Sequence, residues 1–192
     1  MELLRERILR DGKAINSDIL LVDSFLNHQV DVTLMREIGR DFAEKFRDAG
    51  ITRVMTIESS GIAPAAMTAL ELNVPLVIMK KSTSSILSED VFQTGVHSFT
   101  KGTGYLLTLK ARFVQPDDRV LFVDDFLANG EAALGAIRLI EGSGGAKVAG
   151  IGIVIEKAFQ PGRERLMQAG FAVYAQARVR RMERDFIELC ED

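Results

Sequence analysis

The chain has 192 residues, 47% of them hydrophobic, and a formal net charge of −3. That length suits one domain with a full core, and the acidic balance excludes binding of nucleic acid through a basic face. A single cysteine, Cys190, excludes an internal disulfide. With only two histidines beside it a structural zinc site is close to excluded, and no apolar run is long enough to span a membrane. A cytoplasmic protein is expected.

Taken in chain order, Leu3 to Arg10 reads as a short amphipathic helix closed by Gly12. Ile19 to Val22 is a short apolar run. Asp31 is placed to cap a helix whose apolar stripe is Leu34, Ile38, Phe42 and Phe46, ended by Gly50. Arg53 to Glu58 reads as a strand, Ser59 to Gly61 as a turn, and Pro64 suits the first turn of a helix. Pro75 to Met79 is a second strand of that kind. Residues 82 to 104 are rich in Ser, Thr and Gly and read as a hairpin whose second arm is Tyr105 to Val114. A strand from Val120, a helix ending at Gly142, a strand from Val148 to Ile155, a helix from Gly162 to Ala169 and a last strand from Phe171 to Val179 complete the pattern. Strands alternating with helices predict an α/β fold with a mostly parallel sheet covered on both faces.

The most informative stretch is Val120 to Ala133. An apolar strand runs into two adjacent carboxylates, Asp124 and Asp125, then a turn of small residues, then a helix. An unpaired buried charge is costly, so two carboxylates at a strand end call for a reason beyond one helix cap. The carboxyl end of a parallel strand faces the crevice in which open α/β sheets bind ligands. The turn from Ala128 through Asn129, Gly130 and Glu131 to Ala132 lets backbone N–H groups approach an anion at a helix N-terminus. A polyol carrying a phosphate fits both parts.

Glu58-Ser59-Ser60-Gly61 repeats the strand–turn–helix logic and reads either as a second anion cradle or as a plain capped turn. Lys80 and Lys81 end the next strand, where they either meet a diphosphate or stay solvated. Gly150-Ile151-Gly152 lacks the third glycine of a dinucleotide fingerprint and reads as close packing. Arg178 to Arg184 reads as a solvated basic face. Residues 82 to 104 read either as a lid or as an ordinary surface hairpin.

The carboxylate pair and its turn resemble the donor-binding signature of the type I phosphoribosyltransferases, with Asn129 and Ala132 where that signature usually has Thr. Two hydroxyl donors are therefore absent, backbone N–H groups carry more of the phosphate binding, and Glu131 is expected to point outward. The form Asp124-Asp125-Phe126-Leu127-Ala128-Asn129-Gly130 resembles the xanthine-using bacterial branch. So do Val22 to Gln29, Thr56 to Pro64, Gly150 to Lys157 and Phe159 to Arg163, in order along most of the chain.

The resemblance implies a type I phosphoribosyltransferase fold over residues 1–192 as a single domain, with an N-terminal hood within residues 1–35 and a flexible loop over 82–104. It implies transfer of 5-phosphoribose from phosphoribosyl pyrophosphate (PRPP) to xanthine in purine salvage. Asp124 and Asp125 would be catalytic. Leu20, Asn27 and Lys157 would contact the base. Ala128 to Ala132 would bind PRPP, and Ser59, Ser60, Gly61 and Lys81 would hold pyrophosphate. Mg²⁺ would come mainly with PRPP, and a homodimer is implied. Two alternatives stay open at this point: the same reaction on guanine, hypoxanthine or adenine, and a non-enzymatic PRPP-sensing regulator.

Overall fold

The computed structural model describes residues 1–82, 90–98 and 103–191. The N-terminal segment comprises helix α1 (Glu2–Asp11), the short antiparallel pair β1 (Lys13–Ala14) and β2 (Leu20–Leu21), and a π-helical turn over Asp23–Asn27. There follow α2 (Val32–Lys45), β3 (Arg53–Ile57), α3 (Ile62–Leu72), β4 (Leu76–Ser82), β5 (Val91–Ser98), β6 (Thr103–Lys110) and β7 (Arg119–Leu127). The chain continues through α4 (Glu131–Gly142), β8 (Lys147–Lys157), α5 (Gly162–Gln168), β9 (Val173–Glu183) and β10 (Phe186–Leu189).

Among the described residues the main sheet has eight strands in the order β10-β9-β8-β7-β3-β4-β6-β5. The run from β9 to β4 is parallel, and antiparallel strands flank it on both sides. Strand alternation divides the core in two. On one face Leu121 and Val123 of β7 join Val54, Val154 and Ala177 beneath α2 and α3. Leu4, Ile8, Leu20, Val22 and Phe25 of the N-terminal segment belong to the same apolar cluster. On the other face Val120 and Phe122 pack with Ile151 and Ile153 against Ala136, Ile140 and Leu166 of α4 and α5.

The glycines of β8 are packing residues. A Cβ on Gly150 would stand 2.7 Å from Phe46 Cδ1, and one on Gly152 would stand 2.8 Å from Phe42 Cε1, so two aromatic rings of the α2 region fill the troughs. Asp31 caps α2, accepting from Leu34 N at 3.1 Å, and binds Arg7 at 2.8 Å, which ties α1 to α2. No helix among the described residues is long and apolar enough to cross a membrane.

Several boundaries differ from the sequence expectation. The helix begun by Asp31 stops at Lys45; a 3-10 turn follows, and Gly50, at φ 63°, ends that turn instead. The arm expected over Tyr105 to Val114 stops at Lys110 and becomes a 3-10 turn, because the chain must leave the hairpin to enter β7. Phe171 to Val179 is not the last strand, since the chain reverses and adds β10. In the basic run from Arg178, Arg180, Arg181 and Arg184 are exposed as expected, the first two pairing with Glu188 and Glu183, while Arg178 is half-buried and pairs with the buried Glu156 instead. The lid expected over 82–104 falls in part on residues 83–89 and 99–102, which lie outside the described residues.

Candidate active site

The sheet order reverses between β3 and β7. From β7 the chain winds through α4 to β8, and from β3 it winds through α3 to β4, away on the other side. The loops leaving β3 and β7 therefore part at their strand ends and leave a crevice, the place where a doubly wound sheet binds its ligand.

Both candidate turns face it. A Cβ on Gly61 would stand 2.8 Å from Asp124 Oδ1 and would also meet Thr56 Oγ1, so only glycine fits where the 58–61 turn crosses the carboxylate. The peptide bond between Glu58 and Ser59 is cis. Thr56 is buried, and its hydroxyl oxygen has no hydrogen-bond partner among the described residues. Nothing in the sequence distinguished this threonine from a core residue of β3.

β7 does not stop at the carboxylates but runs on to Leu127, so Asp124 is buried within the strand, three residues before its end, and accepts from the backbone N–H of Asp125 at 3.0 Å. Burial, joined by the charge of Asp125, pushes its carboxyl well above the usual carboxylate range, while Lys81 pulls it part of the way back. Lys81 also stands over the Tyr105 ring, 5.5 Å from its centroid. Burial and then the Asp124 charge raise the Tyr105 phenol. Tyr105 was not among the sequence candidates; its place depends on the β5–β6 hairpin folding back beside β4.

The lysine doublet splits. Lys80 Nζ donates to Glu58 Oε2 at 2.9 Å, and the Lys81 N–H donates to Glu58 Oε1 at 2.6 Å. The Lys80 bond, foremost, and the other donors hold Glu58 below its ordinary value despite partial burial. Lys80 thus fastens the 58–61 turn to β4, and Lys81 is the lysine on the crevice side. Ser59 is exposed and Ser60 half-buried in that turn.

After β7, Gly130 takes φ 81°, a left-handed conformation that glycine adopts without strain, and opens α4. No side chain caps α4. The first-turn N–H groups of a helix lack intrahelical partners, so this end is suited to an anion. The turn rests on the approach to α5: Gly162 N donates to Ala128 O at 2.9 Å, and a Cβ on Gly162 would stand 3.0 Å from Gly130 N. Glu131 does not point outward. Its side chain is 24% exposed and pairs with Arg165 at 2.6 Å, because α5 docks against the start of α4.

On the other side of the crevice, Lys157 ends β8. Its ammonium donates to the backbone carbonyl of Asp18 and lies 5.6 Å from the centroid of the Phe126 ring. Burial pushes its pKa down, and Asp18 partly opposes this. Leu20, two residues beyond Asp18, is buried in the apolar cluster, and Asn27 is exposed at the end of the π-helical turn. The structure thus joins Lys157 to the turn that precedes Leu20. Arg165, like Thr56 and Tyr105, and the pairing of Glu58 with Lys80, became legible only once the fold had brought distant segments together.

Residues 30–168 match a family described as the phosphoribosyl transferase domain. The chain is 59% identical over 189 residues to a xanthine phosphoribosyltransferase of Clostridium botulinum (strain Eklund 17B / Type B), covering 98% of this chain and 99% of the relative. It is 51% identical over 191 residues to one of Exiguobacterium sp., covering 100% and 98%. Among solved structures it is similar to an adenine phosphoribosyltransferase of Giardia lamblia complexed with 9-deazaadenine, with TM-score 0.75, 24% identity, and coverage of 91% and 97% of the two chains; this likeness speaks to the fold alone.

Proposed function

Because this chain belongs to the phosphoribosyl transferase domain family, with full-length relatives that are xanthine phosphoribosyltransferases, we infer that it transfers 5-phosphoribose from PRPP to xanthine, giving xanthosine 5'-monophosphate and pyrophosphate in purine salvage. The observation that carries the reading is the crevice at the sheet reversal. There a buried carboxyl, Asp124, beside the half-buried Asp125, meets a left-handed glycine turn on one strand, and a half-buried lysine ends the neighbouring strand.

In the reaction the bond from the sugar C1 to the pyrophosphate oxygen breaks, and a bond from C1 to N9 of xanthine forms. The sugar passes through an oxocarbenium-like state, as in other glycosyl transfers. Asp124 and Asp125 hold the ribose hydroxyls and offset the positive charge that develops. The N–H groups of Ala128, Asn129, Gly130, Glu131 and Ala132 receive the 5-phosphate. Ser59, Ser60 and Gly61 receive the departing pyrophosphate, with Lys81 beside them. Lys157 donates to a purine oxygen and favours the xanthine anion, Asn27 meets the base edge with its amide, and Leu20 packs against the ring. The N-terminal segment within residues 1–35 serves as the hood over the base, part of one catalytic domain.

The carboxylate pair suits Mg²⁺, which takes oxygen ligands and is commonly held by one or two carboxylates together with substrate phosphates. When bound with PRPP, the ion neutralises charge on the diphosphate. The family reading also makes the protein a homodimer of the cytoplasm. Release of pyrophosphate from PRPP, measured with xanthine, guanine, hypoxanthine and adenine, with and without Mg²⁺, tests the function. Xanthine should be the best acceptor and Mg²⁺ should be required. Adenine as the best acceptor would overturn the reading.

A further inference from the structure

We propose that Arg165 is a positioning residue of the donor site, setting the shape and the charge of the turn from Ala128 to Ala132 without touching the substrate. The proposal rests on the reading of that turn as the PRPP site. Arg165 lies on α5, 34 residues beyond Glu131. Its Nη1 donates to the carbonyl of Asn129 at 2.6 Å, and its Nη2 donates to Glu131 Oε1 at 2.6 Å. The guanidinium is 35% exposed and the carboxylate 24%, so the pair is only partly open to water.

Each bond answers a separate difficulty. The turn is built from Ala128, Asn129, Gly130, Glu131 and Ala132, with no hydroxyl among its side chains. Its backbone must therefore be held from outside. The Arg165 bond to the Asn129 carbonyl fixes the planar peptide unit that also carries the Gly130 N–H. The Gly162 N–H fixes the preceding carbonyl, that of Ala128, at 2.9 Å. Two successive peptide units are thus clamped from one short stretch of chain.

The second difficulty is charge. A carboxylate in the first turn of a helix is favourable to the helix dipole but opposes an incoming phosphate. Glu131 is that carboxylate. The planar fork of Arg165 draws it toward α5 and neutralises it, as a lysine's single ammonium would do less well while also serving the Asn129 carbonyl. Glu131 and Arg165 are one device: the first supplies the handle, the second the grip.

The test is steady-state kinetics of Arg165→Gln, of Arg165→Gln combined with Glu131→Gln, and of Gly130→Val, each with its melting temperature. Arg165→Gln should raise KM for PRPP about tenfold, the scale of one charge-assisted hydrogen bond, and leave KM for xanthine within about twofold. Adding Glu131→Gln should bring KM for PRPP back to within about threefold of the wild type, because no stray carboxylate then faces the phosphate. The defect of Arg165→Gln alone should shrink as salt is raised, since screening weakens the repulsion. Arg165→Lys, which keeps the charge, guards against misfolding of the glutamine variant and should show a smaller rise in KM for PRPP. A double variant no better than Arg165→Gln, or equal rises in both KM values, would overturn the proposal. Gly130→Val tests the underlying reading: KM for PRPP unmoved there refutes the donor turn itself. KM for PRPP raised there but unmoved in Arg165→Gln refutes only the role of Arg165.

Discussion

Asp124→Asn should make the protein more stable at neutral pH and much less active. Asp124 is 8% exposed, and Asp125 is the next residue. Its pKa is raised well above the ordinary value, first by burial and then by the Asp125 charge. A carboxyl that holds its proton more tightly when folded destabilises the fold as pH rises from the ordinary carboxylate pKa through the raised one. Below the ordinary pKa both states are protonated and the penalty is absent. Each unit of such a rise corresponds to about 1.4 kcal/mol once the pH exceeds both values. For a chain of this size, 1 kcal/mol moves the melting temperature by about 2–4 °C. Asparagine is nearly isosteric and keeps an oxygen to accept the Asp125 N–H, which Asp124 now accepts at 3.0 Å. The variant should therefore melt above the wild type at neutral pH, with the gain fading near about pH 4. Its kcat should fall about 10²–10³-fold, as when one preorganised electrostatic group is lost. Thermal unfolding across that pH range, with pyrophosphate release at neutral pH, makes the check. A melting temperature below wild type at neutral pH, or a gain that does not depend on pH, would refute the argument.

Lys157→Ala should lower kcat/KM for xanthine about 10- to 100-fold while KM for PRPP stays nearly unchanged, since the ammonium is assigned to a purine oxygen. A rise in KM for PRPP with xanthine handled normally would move Lys157 to the phosphate side. Glu156→Ala should destabilise without acting on either substrate directly. The carboxylate is 2% exposed and accepts from Arg163 at 2.7 Å and from Arg178 at 3.1 Å. Breaking a buried pair with partly exposed arginines costs about 3 kcal/mol, or about 6–12 °C in melting temperature for this length. A change under about 2 °C by calorimetry would show the network to be dispensable.

What could be read from the sequence was what is local. The strand, carboxylates, turn and helix from Val120 onward are consecutive, so their order predicts their geometry, and Gly130 stands where a positive φ is needed. The packing role of Gly150 and Gly152 was legible because an apolar strand surrounds them. What escaped notice depends on docking or register. Glu131 meets Arg165 only because α5 lies against α4. Glu58 meets Lys80 because β3 and β4 pair in a register that sets Ile57 beside Met79. The final reversal into β10 has no glycine: Asp185 takes φ 57° there, a conformation that Asp tolerates better than most residues but that sequence alone does not announce.

The stretch from Lys157 to Gly162 has a consequence for redesign. Its first residue reaches the turn at Asp18, and its last is seated against Ala128 and Gly130. Between them Phe159 is exposed and Gln160 half-buried. The span is fixed at both ends, so adding or deleting a residue would pull one anchor out of place. An engineer seeking a different nucleobase has freedom in the identity of the exposed Phe159, less at Gln160, whose side-chain oxygen is buried, and none in the length of the chain that carries them.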